Sequence, residues 1–247
     1  MENVMKKLLV LLGFVLVSLN TQAILLTDLL LNNASIVAGD KIFDQWEVLD
    51  QDSSDGHLVN TDNIDVSALN DGGLDPGPGL HFDIINDEFL VEGDGIYAYL
   101  DFMFGFRVTV LDPLVKIKDN SLTLTGATLG APTSLTSVFI EEQIYADDTL
   151  TDWLGIKDVE FSRLFDLQGN LLQQTDKVFD SADFAPRDSI YVTKNILLEA
   201  ELVGESARLE SFEQRFSQTT TTVPEPASLA LLSLGFIVLQ ISRKRSR

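Results

Sequence analysis

From Ile96 to Val110 the chain alternates without a break. Ile96, Ala98, Leu100, Phe102, Phe104, Phe106, Val108 and Val110 form one apolar set, and Tyr97, Tyr99, Asp101, Met103, Gly105, Arg107 and Thr109 fill the other. A period of two sustained this long predicts a strand with one face on the core. A helix would scatter the same residues round its axis. Burying each large side chain contributes roughly 1.5–3 kcal/mol before ordering entropy is subtracted, so the strand is expected near the centre of a sheet. The run exceeds the usual strand length, and Gly105 is expected to mark a bulge or bend.

Shorter alternations surround it. Lys41 to Leu49 follows the Gly39-Asp40 turn, Ile64, Val66 and Ala68 precede Asn70-Asp71-Gly72-Gly73, and Leu80, Phe82 and Ile84 follow Pro76-Gly77-Pro78-Gly79. Val115 and Ile117, Leu122 and Leu124, Val138 and Ile140, Val159 and Phe161, Ile190 and Val192, then Ile196 and Leu198 continue the series. Ala207 to Phe216 also suits a helix turn through Leu209, Phe212 and Phe216, and is read as a final strand. Regularly spaced short strands with no sustained 3.6 period predict an all-β chain, an antiparallel β-sandwich of jelly-roll-like form over residues 24–217.

The two ends read differently. Lys6 and Lys7 precede an apolar run from Leu8 to Leu19, and Thr21-Gln22-Ala23 supplies the small residues that signal peptidase inspects. Residues 1–23 are therefore expected to be a secretory signal helix, with cleavage after Ala23 making Ile24 the first mature residue. At the other end a Thr-rich linker, Gln218-Thr219-Thr220-Thr221-Thr222, leads into Val223-Pro224-Glu225-Pro226, an apolar helix over 227–241 and the basic Arg243-Lys244-Arg245. Fifteen helical residues reach only about 22 Å, short of a full span of about 30 Å. The basic end fits the positive-inside rule, with the domain outside.

Residues 223–247 resemble the PEP-CTERM sorting signal of Gram-negative bacteria in all three parts and in their order. The resemblance implies an exosortase substrate, with Val223, Pro224, Glu225 and Pro226 at the recognition element and Arg243, Lys244 and Arg245 as the stop signal. The prolines would hold the segment extended, as a protease groove requires. It implies export, membrane contact through the C-terminal helix before processing, a transient inner-membrane anchor, and then the cell surface or extracellular matrix. Ser35 to Phe43, Gly79-Leu80-His81-Phe82, Asp119 and Ser189 to Ile196 resemble cyanobacterial-type members, although Asn195 stands where an Asp is usual after the lysine. That family has no agreed activity.

Charge and composition narrow the chemistry. Between Ile24 and Val223 there are 11 Lys/Arg against 36 Asp/Glu, a net −25, so the terminal signals mask how acidic the exported part is. Such a surface leaves no electrostatic basis for sequence-independent binding to nucleic acid. The absence of cysteine removes disulfides, thiolate metal sites and cysteine nucleophiles together. His57 and His81 are read as a loop and a strand histidine, and no Gly-x-Ser-x-Gly elbow, His-Glu-x-x-His or P-loop occurs. Glu141-Glu142, Asp147-Asp148 and Asp87-Glu88 are candidate glycosidase pairs, too plentiful among so many acids to single one out. Asp50, Asp52 and Asp55, closed by Gly56, form the candidate calcium loop, although the EF-hand spacing is not met and a solvated acidic turn is the favoured reading. Trp46 and Trp153 suit either stacking on sugar rings or the core, and the core is the commoner place. No cofactor is expected apart from that calcium. The expected function is that of a non-enzymatic surface or matrix protein associated with exopolysaccharide; the alternatives are a carbohydrate- or calcium-binding module and a secreted glycosidase.

Overall fold

Strands separated by Asp- and Gly-rich turns build two antiparallel sheets in the computed structural model, which describes residues 23–32 and 34–221. In chain order they are β1 (Ile24–Leu25), the helical turn α1 (Leu26–Leu31), β2 (Ile36–Ala38), β3 (Lys41–Ser53), β4 (Ile64–Leu69), β5 (Gly79–Ile84), β6 (Leu90–Glu92) and β7 (Ala98–Val110). There follow β8 (Val115–Gly130), β9 (Thr136–Tyr145), β10 (Trp153–Phe165), β11 (Leu171–Lys177), β12 (Phe179–Arg187), β13 (Ser189–Ala200), β14 (Ser206–Arg215) and β15 (Gln218–Thr220). The eight-stranded sheet runs β1-β4-β5-β14-β8-β12, with β6 also on β14 and β15 on β8. The seven-stranded sheet runs β11-β10-β9-β13-β7-β3-β2. The expected signal helix and the apolar helix 227–241 lie outside the described residues, apart from Ala23, which is exposed.

The long alternating strand is central, between β13 and β3. Ala98, Leu100, Phe102, Phe104, Phe106 and Val108 are all buried, and Phe106 stacks on Trp46 at 4.4 Å between ring centres. In the facing sheet Phe82 of β5 stacks on its cross-strand neighbour Phe212 of β14 at 4.5 Å. The strand starts two residues later than its alternation suggests, and Ile96 is exposed. The Asp94 carboxylate explains this: it accepts the amides of Ile96 at 2.8 Å and Tyr97 at 3.0 Å, closing a turn before the ladder begins.

Gly105 does not bend its strand. The irregularities lie on the neighbour, where β3 shifts register between Asp44 and Glu47 and again between Val48 and Asp50. A Cβ at Gly105 would lie 2.4 Å from the Tyr191 phenol oxygen, because that ring lies over the glycine to reach Glu47. Gly105→Ala is therefore expected to lower stability by about 1–3 kcal/mol through overpacking, read as a lower urea midpoint. An unchanged midpoint would show that the Tyr191 ring is free to swing aside.

Three other boundaries differ from the sequence reading. Gln218 to Thr220, read as part of the linker, form β15, since β8 offers an open edge that the threonines can fill. Lys41 Nζ donates to Gln218 Oε1 at 2.6 Å, and the Thr221 amide donates to Leu114 O at 2.7 Å. β8 and β13 each join two segments that read as separate strands, because the polar residues between them, Asn120 and Lys194, point inward. β11 and β12 were invisible to periodicity, being edge strands with largely exposed side chains.

One polar cluster crosses the core. Glu142 of β9 accepts from Lys157 of β10 and Lys194 of β13 in its own sheet, and from Asn120 of β8 and Gln214 of β14 in the opposite one. All five side chains are buried. Burial pushes the Lys157 ammonium down to about 8, against the pull of Glu142 and with a push from Lys194, and burial lowers Lys194 as well. Lys194 Nζ sits 5.2 Å from the centre of the Phe212 ring.

Candidate functional site

Alternation that sends phenylalanines inward from β7 sends a polar and aromatic set outward, and the register of five strands aligns that set in rows. One row reads Asp44, Arg107, Tyr191, Tyr145 and Trp153 across β3, β7, β13, β9 and β10. The next carries Glu47, Gly105, Thr193, Gln143 and Ile156, and a third Asp50, Met103, Asn195, Glu141 and Asp158. Tyr191 is buried as the floor of this face, its hydroxyl on Glu47, while Trp153 at the end of the row is 57% exposed. Tyr145 is held by Gln143, and Arg107 Nη2 lies 3.3 Å from Asp148 Oδ2. The Asn195 carbonyl oxygen is buried without a partner. The face thus joins aromatic surface to a planar guanidinium, amides and carboxylates on a rigid sheet.

Further along, Asp52 stands opposite Asp101, and burial together with the charges of Asp50 and Asp52 pushes the Asp101 carboxyl up. Tyr99 donates to Asp52 at 2.7 Å, and Tyr97 is pushed up to about 12 by burial and its bond to Glu199. A cavity of about 340 Å³ opens at this end of the sandwich, lined among others by Ser53, Asp55, His57, Glu92, Asp94 and Tyr99. A second, of about 720 Å³, lies between Thr133, Ser134, Phe165, Leu167, Glu201 and Leu202.

The residues singled out in the sequence are scattered. Asp50 and Asp52 lie on β3, whereas Asp55 sits in the turn beyond it, accepting from Ser53 Oγ and the His57 amide, both at 2.9 Å. Among the described residues no group of three or more histidine, aspartate or glutamate side chains is placed to hold a metal ion. His57 Nε2 meets Glu88 Oε1 at 3.2 Å in a loop, and His81 on β5 meets Glu213 at 3.5 Å. The pair Glu141-Glu142 is split by alternation, one outward and one into the core. Asp87 pairs with Arg208 at 2.7 Å while Glu88 turns in to bind Asn63 and the Asn60 amide, each at 2.6 Å. Trp46 is core and Trp153 is not. Tyr145, Tyr191 and Arg107 were missed as site residues, although their outward positions follow from the strand alternation.

Val223, Pro224, Glu225, Pro226, Arg243, Lys244 and Arg245 lie outside the described residues, and among the described ones no helix is long and apolar enough to cross a membrane. No curated protein matches the chain. Among solved structures it is similar to the carbohydrate-binding module TmCBM61 in complex with beta-1,4-galactotriose, at 12% identity over 71% of this chain and 88% of that one, with a TM-score of 0.26. It is similar to the mannan-recognising module TmCBM27 at 7% identity, over 71% and 89%, with a TM-score of 0.29. It is also similar to the C-terminal domain of a chitobiase from Bacteroides fragilis at 10% identity, over 76% and 100%, with a TM-score of 0.26. Residues 222–245 match the PEP-CTERM protein-sorting motif, which supports an exported chain that an exosortase processes at the membrane.

Proposed function

We propose that the exported domain is a non-enzymatic polysaccharide-binding module of the cell surface or extracellular matrix, and that it binds through the outer face of its seven-stranded sheet. The exposed Trp153 with Tyr145 and Arg107 in the same row, seated on the buried Tyr191, carries this reading. A sugar ring presents a C–H face that an aromatic ring covers and a rim of hydroxyls that a guanidinium group bonds in pairs. The sheet fixes these groups through backbone pairing, so little ordering entropy is lost on binding. A net −25 on the exported part favours a neutral glycan over an acidic one.

A glycan array probed with the full chain is expected to return neutral polysaccharides. Trp153→Ala is expected to weaken the best of them roughly tenfold, the equivalent of about 1.4 kcal/mol of buried aromatic surface. An array without a specific signal would retire the reading. Binding that survives Trp153→Ala and Tyr145→Ala would move the site off this face.

A further inference from the structure

The buried cluster around Glu142 has more chemistry than a core needs. Lys157 and Asn120 come from different sheets and donate to the same oxygen of Glu142, Oε1. Two hydrogen bonds to one atom place the lysine and amide nitrogens within about 6 Å of each other at most. Backbone packing agrees: Asn120 pairs with Ala182, whose methyl would touch a Cβ at Gly155, two residues from Lys157. Gln214 also donates to Oε1, and the side-chain carbonyl oxygens of Asn120 and Gln214 are both buried with no hydrogen-bond partner; of the two amides, Asn120 is the one on a strand, β8, that packs against β10. We propose that Lys157 and Asn120 join in an intramolecular isopeptide bond that forms without a second protein and locks the two sheets together.

The neutral Lys157 amine attacks Cγ of Asn120 and a C–N bond forms. Glu142 takes a proton from the attacking nitrogen and gives it to Nδ2 of Asn120, which it already holds, so one carboxylate serves as base and then as acid. The bond from Cγ to Nδ2 breaks and ammonia leaves. Nothing is oxidised or reduced, and no co-reactant is required. Burial and, after it, the neighbouring Lys194 favour the uncharged amine at Lys157 against the pull of Glu142, and the uncharged amine is the form that attacks. Lys194 holds the other oxygen of Glu142 and stands over the Phe212 ring, in a part of the core formed by stacked aromatics that excludes competing water. A chain without cysteine has no disulfide to strengthen it outside the cell, and this bond would fill that role.

Intact-mass measurement of the denatured full chain tests the proposal, with its ends fixed from terminal peptides. The expected mass is short by one ammonia, and digestion should yield one branched peptide joining the Lys157 and Asn120 segments. Lys157→Met should restore the full mass. An unmodified wild-type mass overturns the proposal whether or not the variant folds. So does ammonia loss without a branched peptide, which would mean a succinimide at Asn120, and a branch through Lys194 or Gln214 overturns the assignment.

Discussion

Glu142→Ala is expected to lower the free energy of unfolding by about 3–5 kcal/mol, the cost of removing one partner from a buried charge cluster. The carboxylate accepts from the buried side chains of Lys157, Lys194, Asn120 and Gln214 and, in the proposal above, also carries the proton that joins Lys157 to Asn120, so its loss leaves the cluster's donors without an acceptor and the sheets without that bond. Its neighbour Glu141 faces outward on the same strand, half-buried with one bond from Gln143 at 2.7 Å, and Glu141→Ala is expected to stay within about 1 kcal/mol of wild type. The pair is a matched control, since chain position and chemistry are shared and only the face differs. Urea unfolding of both variants measures it, with an unchanged m-value confirming that the shift in midpoint is one of stability. If Glu142→Ala fell no further than Glu141→Ala, the cluster would be hydrated and would hold the sheets together by packing alone.

The same two residues show what the sequence made legible. Alternation located β7, β5, β9 and the two ends of β13 because apolar side chains there share one face, and it implies that Glu141 and Glu142 point in opposite directions. What hid the cluster was chemistry. Lys194 and Asn120 occupy inward positions, but a charged or amide residue inside a strand pattern reads as an interruption, so β8 and β13 looked broken. Only partners drawn from four other strands make Glu142 tolerable in the core, and no local spacing reveals them. The outer face was hidden for the opposite reason. Trp153, Tyr145, Tyr191 and Arg107 lie far apart in the chain and align only once register is fixed. The acidic loop at Asp50 attracted notice through local density, although Asp52 and Asp55 are engaged by Tyr99 and by their own turn. The sorting motif was legible because it is a linear motif, readable without a fold.

Acid should loosen the sandwich first where its two sheets are tied at one end. Glu205 lies between β13 and β14 and accepts from the Ser134 hydroxyl at 2.6 Å and the Thr133 hydroxyl at 2.8 Å. It also takes the backbone amides of Ser134 at 2.6 Å and Leu202 at 2.9 Å, so the β8–β9 and β13–β14 turns share one carboxylate. Burial alone would push this group up, but the hydrogen bonds outweigh it and hold it near about 2 instead of 4.5. A depressed folded value means that the unfolded chain binds the proton more readily. The contribution is therefore present in full above pH 4.5 and is lost as pH falls from there towards 2. Its size is about 3 kcal/mol, from roughly 1.4 kcal/mol per pKa unit. Glu205→Gln cannot lose a proton and offers its NH2 to groups that are themselves donors, so it should be less stable than wild type by about that amount at pH 7. Asp55, Asp166 and Asp176 are likewise held below the usual carboxylate range by their own hydrogen bonds, and for that reason the informative quantity is the difference between the two proteins. Chemical denaturation from pH 7 to pH 2 is expected to show that difference shrinking to almost nothing between pH 4.5 and pH 2. Curves that stay parallel over the whole range would mean that Glu205 is not the carboxylate through which acid separates the turns.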